Sequence, residues 1–373
     1  MNTPNSLANR RNITRVITFV YLILLVMSKI GAVVGIIANT QIFQNVWWTA
    51  LLLFGAMITG FLFQPMVKTN FPGLKDPRVT TNPNLHLKDH ETLMGYYPVV
   101  ALVLFIGALA LSPILYGEQI ILDLKSSHFF WSILGTGVLN VGIFYFLTKG
   151  MRYGDVSLVS VTWALSPVFV LPISIIVYQL IGDSAPIGNP SVSAAGFAGI
   201  IIVVAAVALS VLANKRKPPD EAPKGDFFAN HPVASGILAT VIASVAVNFD
   251  KVAIDSANPF LAGIVMSLVV VAITLGWTLK QGGIERMRFV FKSYWREFLR
   301  VGLVYGAVIL VMNVALFGAN VNYYASIKRA AAIFGTFYGI YVLREGQNTG
   351  EKLLRIGVAV AVIIGIVLIT LKG

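Results

Sequence analysis

Apolar runs of membrane-crossing length recur along almost the whole chain, separated by short polar stretches. About eleven are read: Val16 to Ala38, Trp47 to Val67, Tyr97 to Tyr116, Phe129 to Thr148, Val156 to Ile181, Ser193 to Ala213, Val233 to Ile254, Pro259 to Leu279, Phe298 to Gly318, Tyr323 to Leu343 and Ile356 to Leu371. A hydrocarbon core of ~30 Å takes about 20 helical residues. Within the runs the apolar residues are continuous rather than alternating, so helices and not barrel strands are predicted. The fold class read from this pattern is an all-α polytopic membrane protein.

The polar stretches alternate in charge. Arg10, Arg11 and Arg15 precede the first run, and Lys68, Lys75, Arg78 and Lys88 follow the second. Lys149 and Arg152 follow the fourth, and Lys215, Arg216, Lys217 and Lys224 the sixth. The basic stretch after the eighth, from Lys280 to Arg300, is read as a loop, and Arg344, Lys352 and Arg355 follow the tenth. The intervening loops hold almost no cations, so every second loop is placed in the cytoplasm with the N-terminus inside and, for eleven spans, the C-terminus outside. The first run is longer than the 7–15-residue core of a secretory signal and is expected to stay uncleaved.

Composition agrees: 57% of residues are hydrophobic and 12% charged, against roughly 25% charged in soluble domains, and mean hydropathy is +0.79. A net charge of +12 raises the question of nucleic acid, but the cations flank spans instead of covering one face of a soluble module. No nucleic-acid partner is expected; the partners are the lipid bilayer and a small-molecule substrate, and a homodimer is left open. The absence of cysteine excludes disulfides, thiol catalysis and thiolate metal sites. His86, His90, His128 and His231 are read as solvated loop residues, with no third ligand beside "HLKDH" to hold a metal. No P-loop is present. No enzyme constellation, metal or cofactor is expected.

Two insertions, "KTNFPGLKDPRVTTNPNLHLKDHETLMG" and "NKRKPPDEAPKGDFFANHP", are read as cytoplasmic connectors, and the second divides the chain into halves. The halves resemble each other weakly. "YFLTKGMRYGDVSLVSVTWALSPVFVLPISIIVYQLIGD" and "NYYASIKRAAAIFGTFYGIYVLREGQ" each lead through an acid, Asp183 or Glu345, into a span rich in small residues. Pro167 and Arg329 stand at the same distance before those acids.

Charges inside spans are rare, costing at least ~2.5–3.5 kcal/mol each at mid-span on insertion scales. Lys328 and Arg329 are adjacent in one span, and Asp250 is the carboxylate placed within a span, next to Lys251. Adjacent helical residues point ~100° apart, so Lys328 is read as the cation presented to substrate and Arg329 as a brace. Asp250, with Lys251, is read as a coupling group or ion pair. Pro167 and Pro172 are expected to kink their span, because each removes a backbone donor. Gly31/Gly35, Gly150/Gly154, Gly302/Gly306 and Gly335/Gly339 have the four-residue spacing that lets helices approach closely.

On "ALSPVFVLPISIIV" and "SIKRAAAIFGTFYGIYVLREGQ" the chain resembles the drug/metabolite transporter superfamily, specifically its EamA-type members. The resemblance covers roughly Phe129 to Leu371, and the first 128 residues only loosely. It implies two inverted five-helix repeats, a ten-helix core around a central cavity. This sequence adds a span in its N-terminal half, with Val16 to Ala38 preferred for it, and has Asp183 where the family usually has Glu. The domain reading is 1–45 as tail and extra span, 46–214 as the first repeat, 215–232 as linker and 233–373 as the second repeat. The function implied is a secondary transporter, an exchanger or proton-coupled, of a small polar anionic or zwitterionic metabolite across the cell membrane. A flippase for a lipid-linked substrate is the alternative. Lys328, Tyr324, Asn320, Asn313, Trp163, Tyr145 and Asn140 are the substrate-binding candidates.

Overall fold

The computed structural model describes residues 41–71, 86–116, 127–181, 193–213, 225–256, 259–318, 328, 331–345 and 348–372. The chain divides into two compact units, Met1–Ala50 and Leu51–Gly373. Of the first unit, residues 41–50 are described, as the opening turns of a helix; the second unit forms the helical bundle. The expected extra span Val16 to Ala38 and the pair Gly31/Gly35 lie outside the described residues.

The described residues are helical throughout their regular elements. In order these are α1 (Gln41–Ile58), a π turn (Thr59–Phe63), α2 (Gln64–Asn70), α3 (Asp89–Tyr116), α4 (Ser127–Tyr153) and α5 (Val156–Thr162). A 3₁₀ turn (Trp163–Leu165) leads into α6 (Ser166–Ile181), followed by α7 (Ala194–Ala213), α8 (Phe227–Asn230), α9 (Pro232–Ser256), α10 (Pro259–Gly318), α11 (Ala331–Tyr341) and α12 (Thr349–Lys372). Among the described residues six helices are long and apolar enough to cross a membrane: Ala50–Asn70, Asp89–Leu111, His128–Tyr153, Val156–Ile176, Pro232–Ile254 and Pro259–Ala315. Gly196–Leu209 and Ala331–Tyr341 are shorter apolar helices. The chain is thus a multi-pass membrane protein by helix length and composition.

The basic stretch between the eighth and ninth apolar runs is not a loop. It is helical within α10, interrupted at Gly283, whose φ of 67° and ψ of −172° suit a residue without Cβ. "ERMRFVFKSYWREFLR" carries its buried positions Val290, Tyr294 and Phe298 at four-residue intervals, and that helical period overrides its charge. Gly283 turns α10 into a hairpin. On the first arm Gly263 packs on Leu104 and Trp277 stacks on His90 at 4.6 Å, so this arm runs antiparallel to α3. On the second arm Phe298 packs on Gly95, Gly302 on Val99 and Gly306 on Val103, so it runs parallel to α3.

Small residues set the other close approaches. Gly150 and Gly154 receive Pro232 of α9, while Gly335 and Gly339 of α11 lie against Ser160 and Ser157 of α5. A side chain at these glycines would strike backbone or short side chains, which is the packing role expected for the spacing. α7 and α12 close an apolar cluster of Val203, Ala206 and Val207 with Val358 and Val362.

Among the described residues, charged side chains pair at one end of the bundle. Arg152 of α4 contacts Asp89 of α3 at 2.9 Å, and Lys149 contacts Asp89 at 3.7 Å and Asp226 at 2.7 Å. Arg286 of α10 meets Glu91 at 2.7 Å. Burial opposes the ionisation of Asp226, but the Lys149 hydrogen bond and the Ala229 N–H hold its carboxyl below the usual carboxylate range. The expectation of solvated loop histidines fails for His90, buried in the first turn of α3 where Trp277 covers its ring, and for His86, which is half-buried; His128 is exposed but lies in α4.

Candidate functional site

The helices bordering the centre of the bundle are irregular where they meet it. Pro65 cannot donate to the preceding turn, and just before it the chain widens into the π turn Thr59–Phe63. Pro167 stands after the 3₁₀ turn Trp163–Leu165, where the Ser166 N–H returns to Trp163 O, and Pro172 lies within α6. Thr59 and Phe63 of the π turn and Trp163 of the 3₁₀ turn line a central cavity, with the Thr59 hydroxyl donating back to Gly55 O at 2.8 Å.

That cavity measures about 80 Å³ and is lined by the π turn, Gln64 and Trp163 together with α4, α9, both arms of α10 and Lys328, while α6 contributes nothing to its wall. Since a water needs roughly 10–15 Å³, it holds several waters or a small solute. Its polar wall is formed by Gln64, Thr136, Asn140, Asp250, Asn313 and Lys328. Thr136 Oγ1 donates to Asp250 Oδ1. Asn140 Nδ2 donates to Thr136 O at 2.8 Å and lies 3.2 Å from Thr136 Oγ1, which orients that hydroxyl towards the carboxylate. Ser160 Oγ donates to Gln64 Oε1 at 2.6 Å, and Asn313 Nδ2 donates to Pro259 O at 3.2 Å. Asp250 is half-buried and lines the cavity with Lys328. The site presents one carboxylate and one ammonium from sequence-distant positions, with amides and hydroxyls in the same wall.

An aromatic tier closes the cavity towards the charged end. Phe63 stacks on Tyr305 at 4.4 Å, Phe144 meets Tyr305 edge-on at 4.9 Å, and Tyr96 and Tyr97 back them from α3. Beyond that tier lies a knot of ion pairs. Glu345 accepts from the N–H groups of Val156 at 2.8 Å and Ser157 at 2.9 Å, placing its charge on the N-terminus of α5, and pairs with Lys68 at 2.9 Å. Arg355, buried, binds Asp155 at 2.9 Å, Ser157 Oγ and Glu351. Arg344 takes a left-handed φ of 57° to turn Glu345 back into this knot, and the Glu345 N–H returns to Gly339 O at 2.9 Å.

Of the residues singled out in the sequence, Lys328, Asn313, Trp163, Asn140 and Asp250 line this one cavity. Tyr145 sits at the charged end, accepting from Lys149 at 3.0 Å and stacking on Trp277 at 5.7 Å. Lys251 is buried outside the cavity lining. Tyr324, Asn320 and Arg329 lie outside the described residues. Sequence reasoning did not find Gln64 and Thr136 as lining groups, or Glu345 and Arg355 as a buried knot; Arg355 reads as an ordinary topology cation beside a span.

No family model matches the chain, and no curated protein matches it. A solved structure titled "Crystal structure of protein" is similar at 13% identity and a TM-score of 0.52, over 85% of this chain and 96% of that one. At that identity the likeness is one of fold.

Proposed function

We propose that the chain is a secondary transporter, not an enzyme, which moves a small zwitterionic metabolite through the cavity between its helices. The observation that carries this reading is that Asp250 and Lys328 both line one small, largely apolar cavity inside a bundle of apolar helices. Intramembrane charges are expensive, and in membrane helices they mark solute pathways and relays. Opposite charges facing one cavity suit a solute with its own opposite charges, its carboxylate on Lys328 and its cationic group on Asp250. A lipid-linked substrate would bring an acyl chain that this pair does not match. The reading puts the chain alongside the EamA-type transporters its sequence resembles, in the cell membrane.

An inverted five-helix repeat is part of the proposal and is supported by matching contacts. The π turn ahead of α2 packs on α11, and α6, with the 3₁₀ turn before it, packs on α9, as exchange of the two halves requires. The aromatic tier and the ion-pair knot would then close the cavity on the cytoplasmic side while solute enters from the other, and both would have to open for release.

Counterflow in proteoliposomes with three solute sets, amino acids and betaines, simple carboxylates, and simple amines, tests the reading. Lys328→Ala should leave folded, inserted protein with affinity for zwitterions weakened roughly tenfold to a hundredfold, the worth of a charge-assisted hydrogen bond. Asp250→Asn should lose zwitterions while keeping or gaining carboxylates. Should Asp250→Asn spare zwitterion counterflow and abolish only pH-gradient-driven accumulation, Asp250 carries protons instead of touching solute. Normal binding by Lys328→Ala, or no solute moved from any set, overturns the proposal.

A further inference from the structure

The second arm of α10 carries Arg288, Lys292, Arg296 and Arg300, each four residues after the last and all four exposed. Each step turns ~40° past a full turn, so the four cations share a stripe about 120° wide. The buried positions Val290, Tyr294 and Phe298 each follow a cation by two residues, ~200° around the helix. The stripe therefore points directly away from the protein. Among the described residues none of the four cations forms an ion pair, whereas Arg286 at the base of the arm is taken by Glu91 at 2.7 Å. We infer that this face of α10 binds the headgroups of anionic phospholipids.

Depth and neighbours select lipid over water or nucleic acid. The register of Phe298 on Gly95, Gly302 on Val99 and Gly306 on Val103 sets Lys292 level with Asp89, the first residue of α3. Arg296 and Arg300 then lie about 6 and 12 Å further along the bundle. Asp89 opens the span Asp89–Leu111, so Lys292 stands at the edge of the apolar stretch and Arg288 one turn outside it, the depth of a headgroup layer about 5–7 Å thick. Arg296 and Arg300 reach back to it along their stems. Apolar side chains flank the same stripe: Trp295 is 54% exposed, Leu303 49% and Leu299 40%. The Arg296 guanidinium lies 5.3 Å from the centre of the Trp295 ring, an aromatic at the depth where membrane proteins anchor themselves. A soluble polyanion could not reach the two inner cations, and would leave Leu299 and Leu303 against water. A phospholipid covers both, its phosphate on the guanidinium forks and its acyl chains on the leucines.

The test uses the full chain purified in neutral detergent, with lipid retention counted by native mass spectrometry and thermal melting read in parallel. Phosphatidylglycerol should be retained and should raise the melting temperature, and phosphatidylcholine should do neither. The variant Arg288→Gln, Lys292→Gln, Arg296→Gln, Arg300→Gln should retain phosphatidylglycerol at least about tenfold less, since roughly one increment of surface attraction is lost per cation. Where that variant yields no folded protein, Arg296→Gln and Arg300→Gln singly should each lower retention. Equal retention of the two lipids, unchanged retention in the variants, or an equal melting shift from soluble glycerophosphate overturns the proposal. Binding of a DNA duplex that needs the four cations, without lipid discrimination, does so as well.

Discussion

Replacing Glu345 by Gln tests whether the ion-pair knot closes the charged end of the bundle. The carboxylate holds the Val156 and Ser157 N–H groups at 2.8 and 2.9 Å and Lys68 at 2.9 Å, while Arg355 stands off at 3.9 Å. An amide keeps one oxygen for one N–H and turns its own NH₂ towards the other, leaving a buried donor unpaired at about 1–3 kcal/mol. Losing the charge weakens the hold on Lys68, but that side chain is 27% exposed and can turn to water. Arg355 keeps Asp155 and Glu351, so the full ~3–5 kcal/mol for orphaning a buried charge does not apply. The expected loss is about 2–4 kcal/mol, dominated by the N-terminus of α5. Equilibrium unfolding in mixed micelles reads it, and a cycle with Lys68→Met should return a coupling of about 1 kcal/mol. A Glu345→Gln protein within ~0.5 kcal/mol of the parent would show that the knot is not a closure, since surface changes stay within that range.

Two further outcomes concern the charged end and its connections. Burial, then the neighbouring Arg152, Arg286 and Lys88, against Glu91, lower the His86 pKa from 6.5 to about 4, so the folded protein binds fewer protons than the unfolded one in that interval. The stability it contributes is complete above pH 6.5 and is lost as pH falls towards 4; melting temperatures measured across this window should drop, and drop less in His86→Leu, an equal drop in both refuting the assignment. In a chain without native cysteine, Lys217→Cys should resist an impermeant thiol reagent in intact cells and react in inverted vesicles, with Gly373→Cys showing the opposite pattern. Labelling of both cysteines from one side would refute the alternation.

The apolar pattern of the chain alone settles the class and much of the helix layout, because a hydrocarbon solvent leaves only one economical use for long apolar runs and reads loop cations as orientation. It also points to Lys328 and Asp250, since charges inside spans are too costly to be incidental. It could not bring them together. Which helices face one another depends on small-residue contacts such as Gly302 on Val99 and Gly335 on Ser160, and these belong to pairs of helices, not to either one alone. Hydropathy, which averages over charge, hid the helix from Glu285 to Arg300, whose buried face recurs every four residues. The knot around Glu345 and Arg355 joins helix ends distant in sequence, and only the fold decides which cation beside a span points to water and which is buried against an acid. The cavity likewise draws wall residues from a π turn and a 3₁₀ turn distant in sequence, where tertiary packing stabilises backbone shapes that local propensity does not favour.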